Sequence, residues 1–110
     1  MSIAQTPEAP YYAVIFTSQM SDGDNKGYGE MGDKMVELAS HQEGFLGVES
    51  VRGEDGFGIT VSYWASLEAI HAWKNHSLHM VAQNKGKSEW YKQFGLRVTK
   101  VERDSFMGLI

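Results

Sequence analysis

His76, His79 and Gln83 are spaced i, i+3 and i+7, so on a continuous helix they share one face. Imidazole is the side chain whose ordinary titration lies nearest neutrality, so such a line suits proton transfer. One histidine would act as general base or hydrogen-bond donor while the other orients it. The alternative is a solvated stripe whose rings pack on their neighbours. The same two histidines make a poor zinc site, because zinc wants three or four protein ligands and Glu68 or His71 could add one only if the helix bends. Asp22-Gly23-Asp24-Asn25-Lys26-Gly27 imitates the start of a calcium loop. Lys26, however, occupies a position that needs an oxygen, and Asp33 replaces the longer closing Glu, so the stretch reads as a polar loop at the rim of a pocket. No metal is therefore expected.

Elements must hold that helix face against a surface. Gly56-Phe57-Gly58-Ile59-Thr60-Val61-Ser62-Tyr63-Trp64 reads as a strand ending in two aromatics. Phe57, Ile59, Val61 and Tyr63 share one side, and Gly58, Thr60, Ser62 and Trp64 the other. The second side is mixed in character, as small-ligand pockets are. Which side meets helices is not decided by parity. Ser66 can cap the helix that follows, with Glu68 in its first turn and Leu67, Ile70 and Trp73 as its first apolar stripe. The stripe wavers at Asn75–Ser77, where a break is expected, and Gly86 ends it.

Upstream, residues 1–10 carry both prolines and read as a flexible N-terminal arm, ahead of a single domain over 11–110. Residues 11–17 form a first strand, apolar on both parities and so central in its sheet. A helix over about 28–41 presents Met31, Met35 and Leu38, and Gly44 closes it. Residues 45–51 form a second strand, and Gly53-Glu54-Asp55-Gly56 a hairpin turn. Residues 87–93 read as a short helical or irregular link before a last strand over 94–104.

The order βαββαβ calls for an α+β fold, a ferredoxin-like antiparallel sheet with both helices on one face. The other face then needs an apolar cover, and a second copy of the sheet is the simplest one, which predicts a homodimer. With 110 residues, 10 Lys plus Arg and 14 Asp plus Glu, the chain lacks the basic surface that nucleic acid requires. No cysteine is present, which excludes disulfides and thiolate chemistry. No stretch is long and apolar enough for a membrane span, and the start does not read as a signal peptide, so the expected location is cytoplasmic.

Gly44-Phe45-Leu46-Gly47, Ser62-Tyr63-Trp64, Ser66-Leu67-Glu68-Ala69, Trp73 and the His76/His79 pair, taken together in order, resemble the antibiotic biosynthesis monooxygenase (ABM) superfamily over about residues 11–104. The resemblance implies a dimeric α+β barrel of ferredoxin-like protomers. It also implies, for one branch, cofactor-independent oxygenation of an aromatic, phenolic or polycyclic substrate between sheet and helices. On that reading His76 or His79 is catalytic, and Trp64, Trp73, Gln83, Ser62 and Phe16 bind the substrate, with Trp64 stacked on it. The haem-degrading branch has an Asn on the first strand and a histidine ligand ten residues after the helical Trp. Here Trp73 matches, but Gln83 occupies the ligand position and the first strand has no Asn. Haem is therefore disfavoured. A non-catalytic binding protein of the same fold is the remaining alternative.

Overall fold

The computed structural model describes residues 2–21, 28–84 and 91–109; the side chains of 28–32 and 78–84 fall outside that description. Its elements are β1 (Tyr11–Met20), α1 (Tyr28–Ser40), β2 (Phe45–Arg52), β3 (Phe57–Trp64), α2 (Leu67–Asn84) and β4 (Tyr91–Val101). The four strands form one antiparallel sheet in the order β2-β3-β1-β4, which is the ferredoxin-like arrangement. β1 lies inside the sheet between β3 and β4, as its two-sided apolar pattern demands.

Local chemistry explains the corners. The Gly53 amide donates to the Phe57 carbonyl, the Phe57 amide to Asp55 Oδ1, and Gly56 takes φ +85°, closing the β2–β3 hairpin. Ser66 Oγ accepts from the Ala69 amide at 3.1 Å and caps α2. α1 ends where the His41 and Gln42 amides bond back to Leu38 and Ala39, and Gly44 follows at φ +87°. Phe45 pairs with Trp64 and Gly47 with Tyr63, so Leu46 is an extra residue in the ladder.

The helices lie on the Trp64 side of the sheet. Ala39 of α1, Ile70 of α2 and Trp64 are buried together, and Tyr12, Val14, Phe45, Ala69 and Trp73 pack around them. α1 rests on β2 and α2 on β3. Phe57, Ile59, Val61 and Tyr63 consequently line the opposite, helix-free face with Ala13, Ile15 and Thr17 of β1.

Three expectations need correction. β4 begins at Tyr91 and ends at Val101, three residues earlier at each end, and Tyr91-Lys92-Gln93 is strand rather than link. Tyr91 is drawn in by packing edge-on to Phe16 and Phe94, and the ladder stops at Val101 because its partner β1 starts at Tyr11, after a proline with no N–H to offer. α2 runs unbroken through Asn75–Ser77. Asn75 hydrogen-bonds to His71 and Ser77 to the Lys74 carbonyl, so both polar groups are served along the helix without opening it. Leu67, assigned to the inner stripe, is half exposed.

A side chain at Gly44 would meet both a left-handed backbone and the Ala69 methyl, 2.7 Å from the position of its Cβ. Gly44→Ala should lower stability by at least about 1–2 kcal/mol. A urea midpoint unchanged from wild type would show that this junction is not strained.

Candidate functional site

Pairing across the sheet lays the helix-side residues in rows. One row is Phe45, Trp64, Tyr12 and Lys100; the next is Val48, Ser62, Val14 and Val98. The third is Ser50, Thr60, Phe16 and Leu96, and the fourth is Arg52, Gly58, Ser18 and Phe94. The β2/β3 half of this face therefore carries hydroxyls and a cation, and the β1/β4 half carries apolar bulk.

The apolar half presents Phe94, Leu96 and Val98 in alternation along β4, each about half exposed. Phe16 joins them, with its ring 5.4 Å from both Tyr91 and Phe94. A flat ring system finds here a surface of matching character. In the polar half the Ser50 and Thr60 hydroxyls share a hydrogen bond of 2.7 Å. Arg52 donates from Nη2 to Ser18 Oγ at 2.8 Å and from Nη1 to the Gly56 carbonyl. Ser18 is 2 % exposed. The guanidinium lies against Gly58, where a Cβ would come within 2.9 Å of Arg52 Cζ, so the glycine makes its seat.

The residues expected to bind substrate divide. Phe16 lies on the helix face in the aromatic group and is part of this surface. Trp73 stacks on Trp64 with centroids 6.2 Å apart, and His76 lies over Trp73 at 5.7 Å. His76 is exposed, so this file of rings runs from the core outward along α2. Trp64 cannot stack on a ligand: it is 0 % exposed, enclosed by Phe45, Trp73 and the two helices. Its Nε1–H donates to Ser62 Oγ at 2.9 Å, so these two serve each other rather than a substrate. His79 and Gln83 lie on the α2 backbone in the same helical line as His76, but their side chains fall outside the described residues. The Asp22–Gly27 loop likewise falls outside them. Among the described residues no group of three or more His, Asp or Glu is placed to hold a metal. Sequence reasoning put Thr60 on the pocket-like side of its strand but missed its partner Ser50, and it missed Arg52 and Phe94 as parts of the site. Alternation along β4 puts Phe94, Leu96 and Val98 on one side of the sheet, but nothing local marked Arg52, whose partner Ser18 is 34 residues away.

The helix-free face has its own electrostatics. Tyr63 donates to Glu49 Oε1 at 2.6 Å, and the Ala4 amide donates to Glu49 Oε2 at 2.9 Å. Tyr11 donates to Asp104, and Thr6 donates to Tyr11 Oη. The N-terminal arm is thus tied to the sheet at two points. Burial, and then the adjacent Glu49 carboxylate, push the Tyr63 phenol well above its ordinary value; burial and Asp104 raise Tyr11.

The antibiotic biosynthesis monooxygenase family matches residues 11–85. The uncharacterized protein YqjZ of Bacillus subtilis (strain 168) is 56% identical over 101 residues, covering 92% of this chain and 88% of that protein. Among solved structures, protein SO0527 of Shewanella oneidensis superposes with a TM-score of 0.72 at 7% identity, over 93% of this chain and all of that one. SnoaB, a cofactor-independent oxygenase of Streptomyces nogalater, superposes with a TM-score of 0.63 at 14% identity, over 88% of this chain and 97% of that one. These two structural likenesses concern the fold.

Two outcomes follow. Trp64→Phe, which removes buried volume and leaves Ser62 without its indole partner, should lower stability by roughly 1–3 kcal/mol in a urea titration. An unaltered midpoint would mean that Trp64 is not the centre of the core. For Tyr63 the folded phenol titrates above the unfolded one, whose value is 10.0. The folded state then holds its proton longer, so this stabilising contribution is complete below pH 10 and declines as pH rises above it. Stability of the wild type should fall as pH rises from about 10 to about 11.5, with part of that slope missing in Tyr63→Phe; equal slopes would remove Tyr63 from the account.

Proposed function

The chain belongs to the antibiotic biosynthesis monooxygenase family, and from that premise we propose that it is a cofactor-independent oxygenase of a small, electron-rich aromatic, phenolic or polycyclic substrate. One observation carries the reading: on the helix face the hydroxyl pair Ser50–Thr60 lies in the same row as the apolar surface of Phe16 and Leu96. A planar substrate resting on the β1/β4 half brings its oxygen substituents toward the β2/β3 half, where hydroxyls can orient them. SnoaB, alike in fold, is a cofactor-independent oxygenase, which supports assigning the same class of chemistry here.

The line of His76, His79 and Gln83 on α2 supplies the base. Imidazole removes a proton from the activated carbon of the substrate, giving a phenolate-stabilised carbanion. That anion passes an electron to dioxygen, and recombination makes a carbon–oxygen bond. The resulting hydroperoxide loses water to leave a carbonyl, so one oxygen atom enters the product and the other leaves as water. The electrons come from the substrate, which is why it must be electron-rich. Haem has no part in this reading, because Gln83 offers an amide where the family's haem ligand is an imidazole. The helix-free sheet face, with Phe57, Ile59 and Val51 exposed on it, is read as the surface through which two copies form a homodimer.

The test is oxygen uptake across a panel of one- to four-ring phenols. Turnover should appear with at least one member, and His79→Ala or His76→Ala should reduce kcat by about 10²-fold or more with the far-UV spectrum unchanged. His71→Ala, on the opposite side of α2 from Trp73, should leave it unchanged. Saturable binding of a phenol without oxygen uptake would identify a binding protein instead, and neither binding nor uptake would discard the site.

A further inference from the structure

The guanidinium of Arg52 is held from three separate segments of the chain. It leaves the edge strand β2 and turns inward over β3, where its Cζ lies 2.9 Å from the place a Cβ of Gly58 would take. Nη2 donates to Ser18 Oγ of β1 at 2.8 Å, and Nη1 donates to the Gly56 carbonyl of the hairpin turn. Any side chain at position 58 would displace the group, and the buried Ser18 hydroxyl fixes its far edge.

Fastening the hairpin to β1 does not require a charge. The Met20 amide donates to the same Gly56 carbonyl at 3.1 Å, and Gln19 Nε2 donates to the Asp55 carbonyl at 2.7 Å from the opposite face of the sheet. A neutral amide thus serves that corner. A partly buried cation costs desolvation that an amide avoids. The Ser18 hydroxyl and the Gly56 carbonyl are uncharged, so these two bonds aim the guanidinium without offsetting its charge.

The neighbouring row supplies a scale. Thr60 stands two residues from Gly58 on the same side of β3, so the Ser50–Thr60 hydroxyls and the guanidinium are separated by roughly 7 Å along the strand. A single benzenoid ring with substituents on opposite carbons bridges a gap of that order. Phe16 lies in the row of Thr60 and Phe94 in the row of Gly58, their rings 5.4 Å apart, so an apolar surface accompanies both ends of the span.

We propose that Arg52 is a specificity-determining residue that selects aromatic carboxylic acids. The carboxylate pairs with the guanidinium, whose planar fork matches it, and a phenolic oxygen on the opposite carbon of the same ring meets the Ser50–Thr60 pair. The remaining ring surface lies along Phe16 and Phe94. This rests on the substrate surface proposed above and adds the charge its ligand carries. With 14 acidic against 10 basic residues the protein as a whole repels anions, so a preference for one is a local property of this seat.

The probes are 4-hydroxy-1-naphthoate and its methyl ester, one ring system with and without the charge. Each is titrated calorimetrically into the full-length protein at pH 7, and oxygen uptake is recorded on the same mixtures. Wild type should bind the acid about tenfold or more tightly than the ester, and added salt should weaken the acid alone. R52Q keeps an amide donor and loses the charge, so the two probes should then bind within about twofold of each other. S18A keeps the charge and loses the group that aims it. It should weaken the acid by about three- to tenfold and leave the ester unchanged, and it decides the matter if circular dichroism shows R52Q unfolded. Loss of the preference in these variants supports the proposal whether or not oxygen is consumed, so the anion seat and the oxygenase reading fail separately. Equal binding of acid and ester to wild type, or an acid preference that survives in the folded variants, overturns the proposal and leaves the phenol surface standing. Binding of neither probe removes that surface and this inference with it.

Discussion

The burial of Trp64 is the contact on which the rest of this molecule depends. It stands at the end of β3, one residue before the turn into α2, and it touches both helices and two neighbouring strands at once. A side chain of this size contributes more apolar area than any other residue type, so the face it occupies is the face the helices must cover. Its one polar atom is satisfied within its own strand by Ser62, two residues back on the same side. The indole can therefore be fully enclosed without leaving a donor stranded.

Once Trp64 points toward the helices, strand parity assigns every other side chain. Tyr63 must point the other way, and with it Val61, Ile59 and Phe57. The helix face inherits Ser62, Thr60 and Gly58 from β3, and through the ladder Phe16 and Ser18 from β1 and Arg52 from β2. A slip of one residue would exchange the two faces wholesale, so register is strongly specified here. The mixed polar and apolar floor beneath the helices and the make-up of the helix-free face behind it are consequences of one orientation.

Much of this was legible in the sequence because it is local. The Gly53–Gly56 turn, the Ser66 cap, the Gly44 close and the division of β3 into two parities all follow from contacts a few residues apart. What was not legible depends on distant partners. Tyr63 and Trp64 are adjacent aromatics, and only packing against Ala39 and Ile70 decides which is inside. Parity gives the side of a residue but not its depth, so Trp64 read as a stacking surface when it is core. The limits of β4 are set by where β1 starts and by the rings of Phe16 and Tyr91 meeting across strands. The placement of Arg52 needs Ser18 from one strand and a glycine at position 58 from another, a coincidence no local pattern announces.

The Ser50–Thr60 pair is informative because stability does not require it. A partly buried hydrogen bond between two hydroxyls contributes only about 1 kcal/mol net, and replacing both partners with apolar groups of similar shape is close to neutral. Valine at both positions would suit the strands at least as well, since β-branched residues fit the pleated surface. The fold alone therefore gives no reason for hydroxyls in that row. Trp64 differs, because its Ser62 partner is needed to bury an indole, and so does Ser18, which anchors a guanidinium. Among the hydroxyls of the helix face, Ser50 and Thr60 are the pair whose chemistry exceeds their structural duty. They stand in one row with the apolar side chains of Phe16 and Leu96, and that is the physical argument for placing the proposed reaction on this face and in this row.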